Sequence, residues 1–209
     1  MMQRFFVAAC CVLAGIAAGA QVNGAPLPRT QQFEAGTTNL PGHGRVAYRI
    51  RLMPVSSFPQ LPATVAQRLD GMGCMIPQTY EAREVENVIH GSFEKKGSSD
   101  WAALCSVKGV TTLYVFFGSD LGHPISLRHQ RDTLWLGREW GQDYGSAWGI
   151  ATRPARLMQP VDNADHDGLE DDFVEQLTVV HYFRNGHWAT LDAGQQQAQL
   201  EKPRYLQKQ

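Results

Sequence analysis

The first twenty residues constrain the fold most, because they decide in which compartment the rest of the chain folds. One positive charge, Arg4, precedes an uncharged run from Phe5 to Gly19 that is rich in Ala, Val, Leu and Cys. The run closes with the small residues Ala18-Gly19-Ala20, a pattern that signal peptidase cuts. This pattern predicts a secretory signal peptide over residues 1–20, too short to persist as a membrane span. We expect a periplasmic or secreted protein whose mature chain starts at Gln21.

Export would leave two of the four cysteines of the chain in the mature protein. Cys10 and Cys11 lie in the apolar run and leave with the signal peptide, so that Cys74 and Cys105 remain. An even pair in an oxidising compartment indicates a disulfide bond. Closing a loop of this length would stabilise the fold by roughly 3–4 kcal/mol in the chain-entropy model. The alternative is a catalytic thiol, which requires both cysteines to stay unpaired.

The composition is typical of one globular domain. Hydrophobic residues make up 43% of the chain and charged residues 19%, with a formal net charge of −1. A near-neutral chain without a block of Lys and Arg is a poor match to nucleic acid or to an anionic membrane surface. No second apolar run reaches membrane length. We therefore expect no nucleic-acid partner and no membrane span after signal cleavage.

Polar and Pro/Gly-rich segments bound the predicted domain. Residues 21–44 are rich in Gly, Pro, Thr, Asn and Gln without sustained periodicity, which predicts a flexible leader. Residues 194–209 form a polar, Gln-rich tail. A single domain over residues 45–193 lies between them.

Periodicity within this domain predicts an α+β fold. An alternating run from Val46 to Leu52 predicts a half-buried strand. Pro62 opens a short helix with Val65, Leu69 and Met72 on one face, ended by Gly71 and Gly73. Later apolar runs predict an antiparallel meander and a hairpin; they are Val88–Phe93, Trp101–Ser106, Val110–Phe117, Leu177–Phe183 and His187–Leu191. The expected architecture is one antiparallel sheet of meander and hairpins, with one or two short helices covering a face.

An acidic stretch from Asn163 to Asp171 carries oxygen-bearing side chains at alternate positions. With a glycine at the bend, such a stretch is one way to wrap Ca²⁺. Its spacing resembles the Asp-rich calcium loop of FG-GAP/VCBS-type proteins. The resemblance implies Ca²⁺ ligands at positions one, three, five and nine, namely Asn163, Asp165, Asp167 and Asp171, with the Leu169 carbonyl completing the shell. The alternative is a solvated acidic turn entering a strand.

Two histidines flank the predicted hairpin and raise the question of a zinc site. If Asn185-Gly186 forms a two-residue loop, Phe183 pairs with Trp188. His181 then lies on the face of that pair, and His187 lies on the other face. The register therefore predicts that the two imidazoles do not share an ion.

Three tryptophans, Trp135, Trp140 and Trp148, lie in one Gly-rich segment that also carries Arg138 and Asp143. If they are exposed, aromatic rings beside charged groups would form a platform for a sugar or a peptide. The alternative is that they fill the core, because exposed apolar patches are uncommon on soluble proteins.

Three segments carry a wider resemblance: GCMIPQ at 73–78, DWAALCS at 100–106 and DHDGLED at 165–171. In these segments the chain resembles a group of uncharacterised exported bacterial proteins, over most of the predicted domain. The resemblance implies an envelope or secreted location and supports the pairing of Cys74 with Cys105. It implies no activity.

The leading hypothesis is a non-enzymatic exported module that binds an envelope glycan or protein. No nucleophile elbow, HExxH motif, phosphate loop or dinucleotide fingerprint is present in the sequence. One alternative is a small secreted hydrolase that uses groups near Asp143, Asp165 or His166. A third hypothesis is a structural domain stabilised by Ca²⁺.

Overall fold

Thirteen strands and two helices follow one another in the computed structural model, which describes residues 30–139, 141–158, 163–174 and 177–192. The first strands are β1 (Gln32–Leu40), β2 (Gly44–Pro54), β3 (Met75–Gln78), β4 (Val88–Gly91), β5 (Asp100–Val107), β6 (Val110–Phe116) and β7 (Ile125–Arg131). The later strands are β8 (Leu136–Gly137), β9 (Gly145–Ser146), β10 (Trp148–Arg153), β11 (Gly168–Phe173), β12 (Leu177–Arg184) and β13 (His187–Asp192). The helices are α1 (Ala63–Met72) and α2 (Ala155–Met158).

The predicted signal peptide and the polar tail 194–209 lie outside the described residues, as do Cys10 and Cys11. These assignments stay predictions. Within the described ranges, no helix is long and apolar enough to cross a bilayer.

The bounds of α1 follow from local sequence, as predicted. Pro62 precedes the first helical residue, where its fixed φ and missing N–H are compatible with a helix start. Gly73 ends the helix at φ 82°, a left-handed conformation that glycine adopts without a steric penalty. Its amide donates to the Asp70 and Leu69 carbonyls. Val65 and Leu69 are fully buried, which confirms the predicted apolar face.

The strands form three sheets. The largest has seven strands in the order β1-β2-β3-β5-β6-β7, with β4 paired beside β5. A second sheet is a four-stranded meander, β10-β11-β12-β13, and β8 pairs with β9 in a two-stranded sheet. All pairings between these strands are antiparallel. The predicted meander corresponds to β4, β5 and β6, which pair in that order, and the predicted hairpin corresponds to β12 and β13.

The seven-stranded sheet is covered on both faces, which produces three layers. Successive residues of β5 point to opposite sides of the sheet. Ala103 and Cys105 face the layer of α1, whereas Ala102 and Leu104 face the four-stranded sheet. A strand buried on both sides therefore forms the centre of the molecule.

The predicted α+β fold class is wrong, because the structure is β-rich with more than one sheet. Strand makes up 52% of the structure and helix 13%. The error has a physical cause in the segment 118–160, where Gly-rich sequence lacks the period-two alternation that identifies half-buried strands. That segment contributes β7, β8, β9 and β10, and β10 opens the second sheet.

Strand β1 differs from the expectation of a flexible leader over residues 21–44. It pairs with β2 along its whole length, from Gln32 opposite Leu52 to Leu40 opposite Gly44. Six of its nine residues are exposed, and the three partly buried ones, Glu34, Thr38 and Leu40, lie on one face. Two of these three are polar, so the sequence carries no apolar alternation. Backbone hydrogen bonds to β2 hold this strand in place. Such bonds do not depend on side-chain hydrophobicity, so a hydrophobic pattern cannot predict them.

The predicted disulfide is confirmed between Cys74 and Cys105, whose Cα atoms are 5.0 Å apart. Both cysteines are buried in the core beneath α1. The bond ties the end of α1 to the central strand β5, which excludes the catalytic-thiol alternative for these two residues.

The hairpin register is also confirmed. Asn185 and Gly186 both have positive φ, 53° and 79°, as a two-residue turn of the primed type requires. Phe183 lies opposite Trp188 in this register. His181 and His187 consequently lie on opposite faces of the hairpin.

Candidate functional site

The tryptophans of the segment 135–148 are core residues where the structure describes them. Trp135 is 9% exposed and Trp148 is 2% exposed, with ring centroids 5.2 Å apart. Both lie in the core between the two larger sheets. The prediction of an exposed tryptophan platform is therefore wrong for Trp135 and Trp148, because their large apolar rings fill the space between sheets. Trp140 lies outside the described residues.

A charged cluster accompanies these rings. The carboxylate of Asp171 accepts hydrogen bonds from Trp148 Nε1 at 2.7 Å, Arg128 Nη1 at 3.1 Å and His181 Nε2 at 3.0 Å. Arg128 also lies over the Trp135 ring, 4.3 Å from its centroid. Burial by itself would raise the pKa of Asp171, but the His181 hydrogen bond and the Arg128 charge together hold that pKa below its ordinary value. The cluster therefore connects β7 with β11 and β12.

The four predicted calcium ligands do not converge. Asp171 lies within β11, and its carboxylate is occupied by the three donors just described. Asp167 accepts hydrogen bonds from the backbone amides of Ser92 and Ala155, at 3.0 and 3.3 Å. Asn163 and Asp165 line a separate cavity. Among the described residues, no group of three or more His, Cys, Asp or Glu side chains is placed to hold a metal ion.

That separate cavity, of about 510 Å³, also contains His166 and Tyr182. His166 Nδ1 lies 2.6 Å from Asp165 Oδ1, and Nε2 lies 2.8 Å from the Phe183 carbonyl oxygen. The hydrogen bond from His166 lowers the pKa of Asp165. Nδ1 also lies 3.0 Å from the Tyr182 hydroxyl oxygen. Both ring nitrogens of His166 thus have partners in the same chain, and the side chain fastens the acidic stretch to β12.

A second concave region, of about 440 Å³, lies where residues 134–138 and Tyr144 meet the end of β1, the turn that follows it and the end of β11. We call it the Tyr80 cleft. Its apolar and glycine lining consists of Leu40, Pro41, Leu134, Leu136, Gly137 and Val174. Its aromatic and polar lining consists of His43, Tyr80, Arg138, Tyr144 and Phe173.

Local backbone pairing fixes the two tyrosines of the cleft. Tyr80 follows β3, and its amide donates to the Ser146 carbonyl at 2.7 Å. A Cβ atom at Gly137 would collide with the Tyr80 ring, so only glycine lets the ring lie against β8. Tyr144 is held against β2 because its carbonyl accepts from the Arg49 amide at 2.7 Å. The rings are thus set by three chain segments that are distant in sequence.

Several polar groups of the cleft are free to meet a ligand. In the part of the chain that the structure describes, the Arg138 guanidinium, the Tyr144 hydroxyl and the His43 ring have no hydrogen-bond partner. Arg138 lies over the Tyr144 ring, 4.6 Å from its centroid, and His43 lies 5.9 Å from the same ring. Leu134 is 61% exposed at the rim, although it is a large apolar residue. A concave apolar surface with a few convergent polar groups is the usual form of a small-ligand site.

A neighbouring cavity of about 310 Å³ shares Tyr80 with the cleft. Arg49, Arg51 and Asp143 line it, together with smaller polar side chains. Arg51 donates to the Ala82 and Glu84 carbonyls at 3.0 and 3.4 Å. Among the described residues that line it, Asp143 is the one carboxylate, whereas a glycoside hydrolase usually has a pair.

Sequence reasoning named Arg138 and Asp143 but missed Tyr80, Tyr144 and His43. These three residues lie in segments that have no shared motif, and only the folded chain brings them together. One signal was present in the two glycines at 137 and 145, both of which pack against Tyr80. Glycines that admit a close approach are difficult to distinguish in sequence from glycines that serve turns.

No protein-family model matches this chain, and no curated protein or solved structure matches it either.

Proposed function

We propose that the protein is an exported, non-enzymatic binding protein that holds a saccharide unit of an envelope glycan in the Tyr80 cleft. The observation that carries this proposal is the cleft itself, in which polar side chains without a hydrogen-bond partner among the described residues lie beside aromatic and aliphatic side chains. The predicted signal peptide supports the location, because a chain exported across the inner membrane meets envelope glycans.

The size of the cleft favours a saccharide over a protein partner. A cavity of about 440 Å³ lies within the range of small-ligand sites, roughly 300–1,000 Å³. A stable protein interface buries about 800 Å² on each partner, usually over a flatter surface. The cleft therefore suits one or two sugar rings.

The chemistry of the cleft also suits a sugar. A sugar ring has an apolar C–H face and a rim of hydroxyl groups, which both donate and accept hydrogen bonds. The rings of Tyr80 and Phe173 are partly exposed and offer apolar contact area with little side-chain entropy to lose, whereas Tyr144 is 7% exposed and lies under Arg138. The Arg138 guanidinium can donate to a ring hydroxyl, and the Tyr144 hydroxyl can also accept.

The hydrolase alternative has less support. A glycosidase usually requires two carboxyl groups, one on either side of the scissile bond, whereas the described residues that line the Tyr80 cleft include no carboxylate. In the cavity near Asp165, both nitrogens of His166 are engaged within the chain.

The test uses the full chain, expressed with its own N-terminus and recovered from the periplasm. We would apply it to an array of peptidoglycan fragments, lipopolysaccharide core oligosaccharides and exopolysaccharide oligosaccharides, and measure affinities for bound saccharides by calorimetry. Leu134→Ala removes an exposed contact at the rim, so we expect about three- to tenfold weaker binding. The matched control is Leu157→Ala on α2, which is 48% exposed and does not line the cleft.

Three outcomes would contradict the proposal. The first is the absence of binding to every saccharide on the array. The second is equal weakening by Leu134→Ala and Leu157→Ala, which would place the site elsewhere. The third is shortening of a bound saccharide during incubation, which would replace the proposal with the hydrolase alternative.

A further inference from the structure

Arg138 is placed to decide which glycans the Tyr80 cleft accepts. Among the described residues that line the cleft, Arg138 is the one Lys or Arg side chain, and none is Asp or Glu. Arg138 is exposed to solvent, so its charge acts from the open side of the cleft, and a site lined by charge of one sign attracts the opposite charge. The cleft therefore favours an anionic ligand.

The carboxylates close to Arg138 in sequence are directed elsewhere. Glu139 accepts a hydrogen bond from Arg83 at 3.0 Å and one from Gln142 at 2.9 Å. Asp143 lines the neighbouring cavity and not the cleft. Arg138 has no hydrogen-bond partner among the described residues, so its charge is not neutralised by the chain there.

The contact between Arg138 and Tyr144 positions the guanidinium for a ligand. The Cζ atom of Arg138 lies 4.6 Å from the centroid of the Tyr144 ring. Such a contact engages the face of the guanidinium and leaves its N–H edge available. That edge matches the two oxygens of a carboxylate in a bidentate pair, and holding it in place reduces the entropy lost on binding.

We infer that the Tyr80 cleft selects a sugar that carries a carboxylate, such as a uronic acid, and that Arg138 binds this carboxylate. The inference rests on the proposed glycan-binding function and narrows its ligand class. The aromatic and apolar walls contact the sugar ring, and Arg138 distinguishes the acidic sugar from its neutral counterpart.

The test uses the same glycan array in two forms, native and after chemical reduction of every sugar carboxylate to a primary alcohol. We expect the full chain to bind uronic-acid oligosaccharides on the native array and to bind their reduced forms roughly ten- to a hundredfold more weakly. Arg138→Gln should lower affinity for the native oligosaccharides by a similar factor and affinity for the reduced forms by a clearly smaller factor, because a neutral hydroxyl loses only an ordinary hydrogen bond. Arg156→Gln, a change at an exposed arginine on α2, serves as the control.

The possible results distinguish the selection of a carboxylate by Arg138 from glycan binding as such. Equal binding to native and reduced glycans would overturn the selection of a carboxylate and leave glycan binding intact. Binding that survives reduction but is lost after phosphatase treatment would assign a phosphate instead. If Arg138→Gln still prefers uronic acids, Arg138 does not bind the sugar carboxylate. Absence of binding on both arrays would overturn the proposed function itself.

Discussion

At the scale of single residues, Asp171 shows how the same side chain can suggest one role in the sequence and have another in the fold. Its carboxylate is fully buried between the two larger sheets and accepts hydrogen bonds from Trp148, Arg128 and His181. In the sequence it is the last member of an acidic, calcium-like spacing. In the structure, its position in β11 directs it toward the core, whereas Asp165 points to a surface cavity.

Asp171→Asn should destabilise the protein by about 3 kcal/mol, because it removes one partner of a buried, hydrogen-bonded charge cluster. The folded-state pKa of Asp171 is lower than its ordinary value of 3.8, so its contribution is present above that pH. The contribution is lost as the pH falls through the lower, folded-state pKa. Urea unfolding from neutral pH down to about pH 3 measures both effects.

Asp120→Asn is the control for this change, because Asp120 is exposed and its contact is with the exposed His123. We expect a change within about 0.5 kcal/mol for the control. A similarly small effect of Asp171→Asn would show that the cluster does not hold the sheets together.

At the scale of elements, β1 is attached to the molecule by its pairing with β2 and by one acidic contact. Glu34 of β1 lies near Asp132, and Tyr48 donates to Glu34 at 3.3 Å. Ser106 donates to one carboxylate oxygen of Asp132, while the other oxygen is buried without a hydrogen-bond partner among the described residues. Burial first, and then the charge of Asp132, raise the pKa of Glu34 above its ordinary value of 4.5.

The sign of the pH effect follows from that shift. A raised pKa means that the folded state favours protonated Glu34, so the contribution is favourable below pH 4.5 and is lost as the pH rises through the folded-state pKa. Glu34→Gln should therefore stabilise the protein at pH 7, by about 0.5–1 kcal/mol, since its amide can donate to the unpartnered Asp132 oxygen. The gain should disappear below about pH 4.

Hydrogen exchange of the β1 amides, together with urea unfolding at both pH values, measures this gain. Glu84→Gln, at an exposed position in the loop after β3, should have no such pH-dependent effect. If Glu34→Gln is neutral or destabilising at pH 7, the two carboxyl groups do not oppose each other in the folded protein.

At the scale of the whole molecule, the disulfide and the stacked layers act together. Cys74 follows α1 and Cys105 lies in β5, so the bond crosses from the helical layer to the central sheet. The two residues are 31 positions apart, and a closed loop of this length restricts the unfolded chain considerably.

Replacing both cysteines, as Cys74→Ala with Cys105→Ala, should therefore lower the free energy of unfolding by about 3–4 kcal/mol. Urea unfolding measures the loss. Adding a reductant should destabilise the natural protein by a comparable amount and leave the double variant unchanged. Equal sensitivity of both proteins to the reductant would contradict a structural role for the bond.

The sequence by itself determined the elements whose causes are local. Pro62 and Gly73 set the ends of α1, Asn185-Gly186 set the register of the last hairpin, and the predicted compartment paired the two remaining cysteines. These features depend on backbone conformations and on chemistry that a few adjacent residues carry.

Only the tertiary structure decided four features. They are the number of sheets, the formation of strand β1 in the predicted leader, the burial of Trp135 and Trp148, and the Tyr80 cleft. Each depends on which segments meet in space. Strand β1 shows no apolar alternation, because its partly buried face carries Glu34 and Thr38. A tryptophan looks the same in sequence whether it fills a core or faces solvent. The cleft joins Tyr80, Arg138 and Tyr144 with residues of β1 and β11, so no single stretch of sequence contains it.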